Sequence, residues 1–394
     1  MNRLSPPSIM TDRVAWRLSF YFAALFAVFG VQLPFWPVYL QEAKALTAAD
    51  IGLVLSAGLW IKVLFNPLVG QWADRHGERR RPMMLLCLLA LVAFAGFIFA
   101  EGFWTLFALA LLAGVSLAAV MPLGESVALD VVYRRGLDYG RVRLWGSISF
   151  IAVAVVVGPL LARVGPDVIL VATILLMLAT LLACWMMPSA RPPRAEPGQA
   201  PLRRLLLNPR FVLFLGAVAL SQSSHGVLYG FGTLHWRAHD ISDNIIGGLW
   251  AEGVIAEIIV FTLGGLLLRR IGVTGLIALG AAAGVVRWLA YGYTTELPVL
   301  LVMQLLHGFT FGANHLGAMH FIARAVPGGW STSAQGLYTA ISGGLALGLA
   351  ILVGGVLYEW IGGAAFYVAA GQAALGLVLA LVLWRQWDGG LISR

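Results

Sequence analysis

GQWADRHGERR, residues 70–80, is a short charged stretch set between two apolar runs, 49–71 and 82–100. It reads G-x-x-x-D-R-x-G-x-R-R through Gly70, Asp74, Arg75, Gly77, Arg79 and Arg80. Gly70 allows close helix packing, Gly77 allows a tight turn, and Asp74 can pair with an Arg or cap a neighbouring helix end. Each flanking run is near the roughly 20 apolar residues that a helix needs to cross hydrocarbon. The stretch therefore reads as a tight polar connection between two membrane-spanning helices.

Working outward, the same pattern fills the chain. Of 394 residues, 60% are hydrophobic and 11% charged, too few charges to cover a water-soluble protein of this length. Twelve spans are predicted: 15–40, 49–71, 82–100, 104–128, 143–163, 167–187, 210–235, 245–268, 273–294, 297–322, 333–358 and 361–386. Counting residues at span ends with the adjoining loop, 21 of the 26 Lys and Arg fall on one side and three (Lys44, Arg163, Arg237) on the other. Lys62 and Arg287 lie inside spans. That bias predicts both termini in the cytoplasm. It also turns the net charge of +8 away from a nucleic-acid reading, because the basic residues are scattered through loops rather than gathered on a face. No cleavable signal peptide is expected, since the first apolar run is long and lacks a cleavage site. Cys87 and Cys184 sit in apolar runs as buried thiols, with no disulfide framework. The Pro-rich basic segment 188–209 separates a six-helix bundle, 1–187, from a second, 210–394. A counterpart of the opening loop, GGLLLRRIG, starts at Gly264, an offset of 194 residues from Gly70. Two similar halves suit a carrier that rocks about a central site.

The loop at residues 70–80 resembles the loop motif of the major facilitator superfamily, in the expected place after the second span. A closer resemblance runs through LPFWPVYL (33–40), DYGRVRLWGS (138–147), SHGVLYGF (224–231), GVIAEIIVF (253–261), GVVRW (284–288) and QLLHGFTF (304–311). These segments look like the 3-phenylpropionate transporter group, related to the lactose permease and nucleoside–proton symporter families. The resemblance implies an all-α fold of two pseudo-symmetric six-helix bundles in the cell's inner membrane. It also implies inward proton symport of a small, often aromatic, carboxylate. It further makes 70–80 a gating motif, with Gly70, Asp74, Arg75, Gly77 and Arg79 as its residues.

Ionisable groups within spans are costly, roughly 3 kcal/mol or more at the centre, and mark function by default. Glu257, Arg287 and His307, on helices 8, 9 and 10, are the proton-coupling candidates, because a carboxylate near an Arg and a His can trade its proton as the charge balance changes. A static buried ion pair is the other reading. Glu252 lies five residues earlier, about 140° round the helix, and cannot share that face. In the lactose permease comparison Arg287 and His307 match charged positions, but the essential carboxylates fall at Thr310 and near Val254, so Glu257 is the substitute.

Substrate-binding candidates are Lys62, Glu125, Arg143, Phe150, His225 and Tyr229. Lys62 lies about 16 Å into its span at 1.5 Å per residue, where a cation can meet a substrate carboxylate or a static Glu partner. Glu125 and Arg143 match the lactose permease's sugar-binding acid and base in spacing. Phe150 stands where that family has a sugar-stacking Trp, which argues against a galactoside. Alternatively, Arg143 is a cytoplasmic anchor and Glu125 its surface partner. The polar run Ser221–His225, with Tyr229 one turn on, is expected to face a cavity, because lipid would leave its donors unsatisfied. His315 and His320, five apart, are wrongly spaced for metal ligands on one helical face.

The expectation is a proton-coupled symporter working by alternating access as a monomer. Its partners are a small-molecule substrate, protons and the lipid bilayer. No metal, other cofactor or nucleic acid is expected. Competing readings are an exporter of apolar compounds on the same fold, and a symporter of a nucleoside or sugar. A membrane enzyme is disfavoured because no HExxH, nucleotide fingerprint or nucleophile elbow is present.

Overall fold

The computed structural model describes residues 12–76, 78–188, 202–327 and 330–392. Among these the chain is helical throughout. In the first half run α1 (Arg13–Val38), α2 (Ala48–His76), α3 (Arg80–Gly96), α4 (Phe103–Arg135), α5 (Tyr139–Val164) and α6 (Asp167–Met186). A short helix, α7 (Leu202–Leu207), leads into α8 (Pro209–Ser223) and α9 (Gly226–Arg237), which together make one pass. Then follow α10 (Asp243–Thr262), α11 (Gly264–Tyr293), α12 (Leu297–Leu305), α13 (Asn314–Ala325), α14 (Ser331–Ala340), α15 (Leu347–Ile361) and α16 (Ala365–Gln386). Single π-helical turns join α12 to α13 at Gly308–Ala313 and α14 to α15 at Ile341–Ala346.

Local chemistry sets these boundaries. Asp12 starts α1 by accepting from Val14 N at 2.7 Å. Asp138 caps α5 through Arg141 N, and Asn208 caps α8 through Arg210 N and Phe211 N with Pro209 at the first helical position. Gly136 ends α4 in the left-handed conformation at φ 64°, and Gly272, at φ 70°, breaks α11 near its start.

Ten helical stretches among the described residues are long and apolar enough to cross a membrane. Twelve passes reconcile with ten stretches in two places. Arg80–Gly96 has 17 residues, just under the span length. Ser331–Gln386 counts as one stretch of 56 residues. At 1.5 Å per residue that is about 84 Å, nearly three hydrocarbon thicknesses, and the chain turns within it at Gly362, where φ is 55°. The helices also overrun the predicted spans: α4 continues to Arg135, and α5 begins at Tyr139, so Arg143 lies one turn inside α5 rather than at its start. Large apolar side chains stand on the outside, among them Phe99 (87% exposed), Trp360 (78%) and Leu64 (72%), a surface that lipid covers and water would not.

The contacts divide the chain into two units. One contains the described parts of Met1–Leu46, Ile61–Ala195 and Asp243–Gly247; the other contains those of Thr47–Trp60, Glu196–Ser242 and Gly248–Arg394. In the first unit α1 packs against α5 and α6, and α3 against α4 and α6. Small residues permit this closeness: a Cβ on Gly30 would fall 2.8 Å from Phe150 O, and one on Gly124 would fall 2.1 Å from the Tyr21 ring. A Cβ on Gly158 would fall 2.2 Å from Asp243 O, which is how the start of α10 joins this unit. In the second unit α11 packs on α16 and α13, α8 on α16, and α9 on α15. The start of α2 joins it through Ala49 N, which donates to Glu359 Oε2 at 2.9 Å, and through the Gly52–Gly355 approach.

Candidate functional site

In the second unit a polar centre is built around Arg287, which is 0% exposed. Its Nη2 donates to Gln304 Oε1, and its Nη1 donates to His307 Nδ1 at 3.1 Å and to Thr310 Oγ1 at 3.2 Å. No carboxylate lies within 4.0 Å of the guanidinium among the described residues, and its buried Nε meets no acceptor there. The charge is instead spread over neutral acceptors and the faces of Trp288 (4.8 Å) and Tyr291 (5.5 Å).

Gln304 holds this arrangement. Its Oε1 accepts from both Arg287 and the Tyr291 hydroxyl (2.7 Å), and its Nε2 donates to Leu249 O at 2.7 Å. Two donors on one atom and a carbonyl on the other fix the amide's orientation. The same logic fixes both imidazoles. A guanidinium only donates, so His307 Nδ1 accepts and its proton sits on Nε2. His225 Nδ1 faces Gln222 O at 2.9 Å and must donate, leaving Nε2 to accept from the Thr310 hydroxyl at 3.0 Å. The structure thus links Tyr291, Gln304, Arg287, His307, Thr310 and His225 into one chain of hydrogen bonds.

Within the run Ser221–His225, Ser223 and Ser224 line a cavity of about 240 Å³ together with Leu220, Val227, Ala350 and Gln372, and the polar atoms of the run also meet partners in the protein. Ser224 Oγ donates to Ser221 O (2.6 Å) and accepts from Trp288 Nε1 (2.9 Å); Asn314 Nδ2 donates to Ser221 Oγ; Gln372 Nε2 donates to Ser223 Oγ at 2.5 Å. The hydroxyls of Ser223 and Ser224 and the Nδ1 of His225 donate to carbonyls one turn back, Ala219 O, Ser221 O and Gln222 O, while the serine oxygens accept from the neighbouring helices. His225 itself is fully buried with both ring nitrogens taken. Tyr229 is only half-buried, stacked on His225 at 5.3 Å and tilted against Trp250 at 6.2 Å.

Glu257 is half-buried on α10, its Cγ 3.7 Å from where a Cβ on Gly312 would stand. Gly253, one turn earlier, faces the His307 ring in the same way. Glu257 therefore sits about one turn past His307 toward the C-terminal ends of both helices.

In the first unit Tyr139 Oη donates to Glu125 Oε1 at 2.6 Å. The Arg143 guanidinium lies over Phe26 at 3.8 Å and Phe22 at 5.4 Å. Phe150 is buried, with its backbone pressed against Gly30. Lys62 is half-buried on α2 and makes no hydrogen bond or ion pair among the described residues. Asn66, one turn on, has a buried Oδ1 with no donor among them. In the loop motif Gly77 and the side chains of Asp74 and Arg75 lie outside the described residues. Gly70 corrects the sequence reading: a Cβ there meets no atom within 4 Å, so this glycine serves no close packing among the described residues. Arg79 is the N-cap residue of α3.

Sequence reading missed Gln304 and Tyr291. A signal was present: Tyr291 is four residues past Arg287 and Gln304 three before His307, spacings that put each on the face of its charged neighbour.

A helical chain with a lipid-facing apolar exterior and buried polar groups inside its bundles is a multi-pass membrane transporter of the major facilitator type. The sequence model of the MFS_1 like family matches residues 15–369, and the chain belongs to that family. It is 34% identical to the "Probable 3-phenylpropionic acid transporter" of Escherichia coli (strain K12), over 90% of this chain and 94% of that one. It is 31% identical to the "Maltose permease" of Geobacillus stearothermophilus, over 93% of each chain. Among solved structures, the nucleoside transporter NupG superposes with a TM-score of 0.81 at 18% identity, covering 96% of this chain and 100% of that one, which bears on the fold alone. These relatives are transporters, not enzymes.

Proposed function

We propose that the protein is a proton-coupled symporter that takes up a small aromatic carboxylate of the phenylpropionate type by alternating access. The observation that carries the substrate class is the 34% identity to the probable 3-phenylpropionic acid transporter along nearly its whole length. Lys62 fits that class, since a cation without a protein partner among the described residues is available to a carboxylate. Arg143, Glu125, Phe150 and Tyr229 supply the remaining substrate contacts, and His225 supports them by stacking on Tyr229 at 5.3 Å. Coupling resides in Glu257, Arg287 and His307. A proton placed on His307 Nδ1 would abolish its bond to Arg287 and set two cations side by side, so protonation there is tied to rearrangement of the centre. The carrier works as a monomer in the cytoplasmic membrane with both ends inside. The halves 1–187 and 210–394 move against each other, and the 70–80 loop latches one state.

The 31% identity to a maltose permease favours a sugar as the second reading. Uptake into proteoliposomes with an inside-alkaline gradient separates the two. Labelled phenylpropionate should accumulate above the level of protein-free vesicles, and labelled maltose should not. Accumulation of maltose alone would overturn the substrate class.

A further inference from the structure

Cys87 and Cys184 are the only two cysteines of the chain, and both are fully buried free thiols. They lie 97 positions apart in sequence, on α3 and α6, yet their sulfurs stand 3.5 Å from each other. At that distance one S–H donates weakly to the other sulfur. α3 and α6 pack side by side within the first unit, and that packing brings the two thiols together. Neither thiol belongs to the polar centre, the loop motif or the substrate contacts described above.

The surroundings of the pair set what can reach it. A groove of about 440 Å³ follows the seam of the two helices, lined by Met84, Leu85 and Leu88 of α3 and by Leu178, Leu182 and Trp185 of α6. Leu88 directly follows Cys87, and Trp185 directly follows Cys184. Each cysteine is therefore about 100° round its helix from a residue that lines the groove, on the inner side of the seam. Leu85, Leu88, Leu178, Leu182 and Trp185 are all exposed, so the groove opens to the hydrocarbon, and no charged residue lines it. Ions and strongly hydrated reagents are kept out of such a place, whereas a flat apolar ring can enter it.

We propose that Cys87 and Cys184 form a redox-active dithiol inside the membrane, which a lipid-soluble quinone converts to a disulfide stapling α3 to α6. Bonded sulfurs are about 2.05 Å apart, so the pair closes by roughly 1.5 Å, a movement shared between two rotating side chains. Both S–H bonds break and one S–S bond forms. The thiols lose two electrons and two protons; the quinone takes them onto its two carbonyl oxygens and leaves as the quinol. No ion enters the hydrocarbon for the balance to close. The new bond joins two helices of one unit that already pack together. It closes a long loop, which narrows the unfolded ensemble and makes the oxidised chain harder to unfold.

The test is thiol counting on the reconstituted full chain. Proteoliposomes are treated with a short-chain ubiquinone, denatured in excess maleimide and measured by intact mass. Untreated protein should take two maleimides and quinone-treated protein none. Digestion should then recover the Cys87 and Cys184 peptides joined, and dithiothreitol should return both thiols. Ferricyanide, which stays in water, should leave both thiols free. The Cys87→Ala and Cys184→Ala proteins should each keep their one thiol through quinone treatment. Neither should show the upward shift in apparent melting temperature expected of oxidised wild type. Two maleimides on quinone-treated wild type overturn the proposal. So does a single-cysteine variant that loses its thiol as fast as wild type, because the reagent then adds to sulfur instead of joining a pair. Oxidation by ferricyanide at the quinone's rate overturns the approach from lipid, and a disulfide that leaves the melting temperature unchanged overturns the staple.

Discussion

Gln304→Leu removes the side chain that orients Arg287 while nearly preserving its volume. Two buried donors lose their shared acceptor, the Nη2 of a 0% exposed guanidinium and the hydroxyl of Tyr291. Each orphaned group costs about 1–3 kcal/mol, with the charged one at the upper end, so the variant should lose roughly 3–5 kcal/mol. Leu249 O also loses the Gln304 amide but sits within α10, where it has a helical partner. Gln32→Leu is the matched control: Gln32 makes one half-buried bond, Nε2 to Thr173 Oγ1 at 2.9 Å, and Thr173 keeps its bond to Ile169 O, so about 1 kcal/mol is lost. Gln304→Glu keeps an acceptor for Arg287 and Tyr291 and gives up only the donor to Leu249, so it should fall between the two. The assay is the apparent melting temperature of detergent-solubilised protein at one scan rate, used for ranking because such unfolding is rarely reversible. The order expected is Gln32→Leu above Gln304→Glu above Gln304→Leu. A Gln304→Leu protein that melts with the Gln32→Leu control would show that the amide does not carry the Arg287 centre.

Three further outcomes are expected. Lys62→Gln should raise the KM for phenylpropionate about 10–100-fold, the loss of one charge-assisted contact of about 1.5–3 kcal/mol, and Lys62→Arg should recover much of it; an unchanged KM in the Gln variant removes Lys62 from the site. Tyr139→Phe deletes the 2.6 Å bond to Glu125 and should lower the melting temperature by the equivalent of about 1.5–3 kcal/mol; no shift would mean that solvent replaces the bond at no cost. Gly124→Ala puts a methyl group 2.1 Å from the Tyr21 ring, an overpacking that costs about 1–3 kcal/mol, and adding Tyr21→Ala should cost less than the sum of the two single changes.

The helices were legible because membrane physics leaves so few options. Runs of about 20 apolar residues, ended by Asp138, Asn208 and Gly136, declare themselves one at a time. The π-helical turns at Gly308 and Ile341 were not legible, since no local composition marks an extra residue per turn, and they shift the faces of everything beyond them. At the site the pairing of Arg287 with His307 followed from both being costly in a span. The run Ser221–His225 was legible as polar, but not its partners: Trp288, Asn314 and Gln372 come from helices far along the chain to donate to its serine oxygens. Gln304 carries no charge of its own, so its cost in a span is small and, beyond its place three residues before His307, nothing in the sequence marks it as the residue that positions Arg287.

Proton coupling is the claim on which the rest depends, and substrate-driven proton movement tests it most directly. Labelled phenylpropionate is added outside proteoliposomes at equal internal and external pH, and external pH is recorded beside uptake, with protein-free vesicles subtracted because a weak acid also crosses lipid unaided. The account predicts protein-dependent external alkalinisation that rises and falls with uptake and is abolished by a protonophore. Uptake with no pH change, or with acidification, would contradict it.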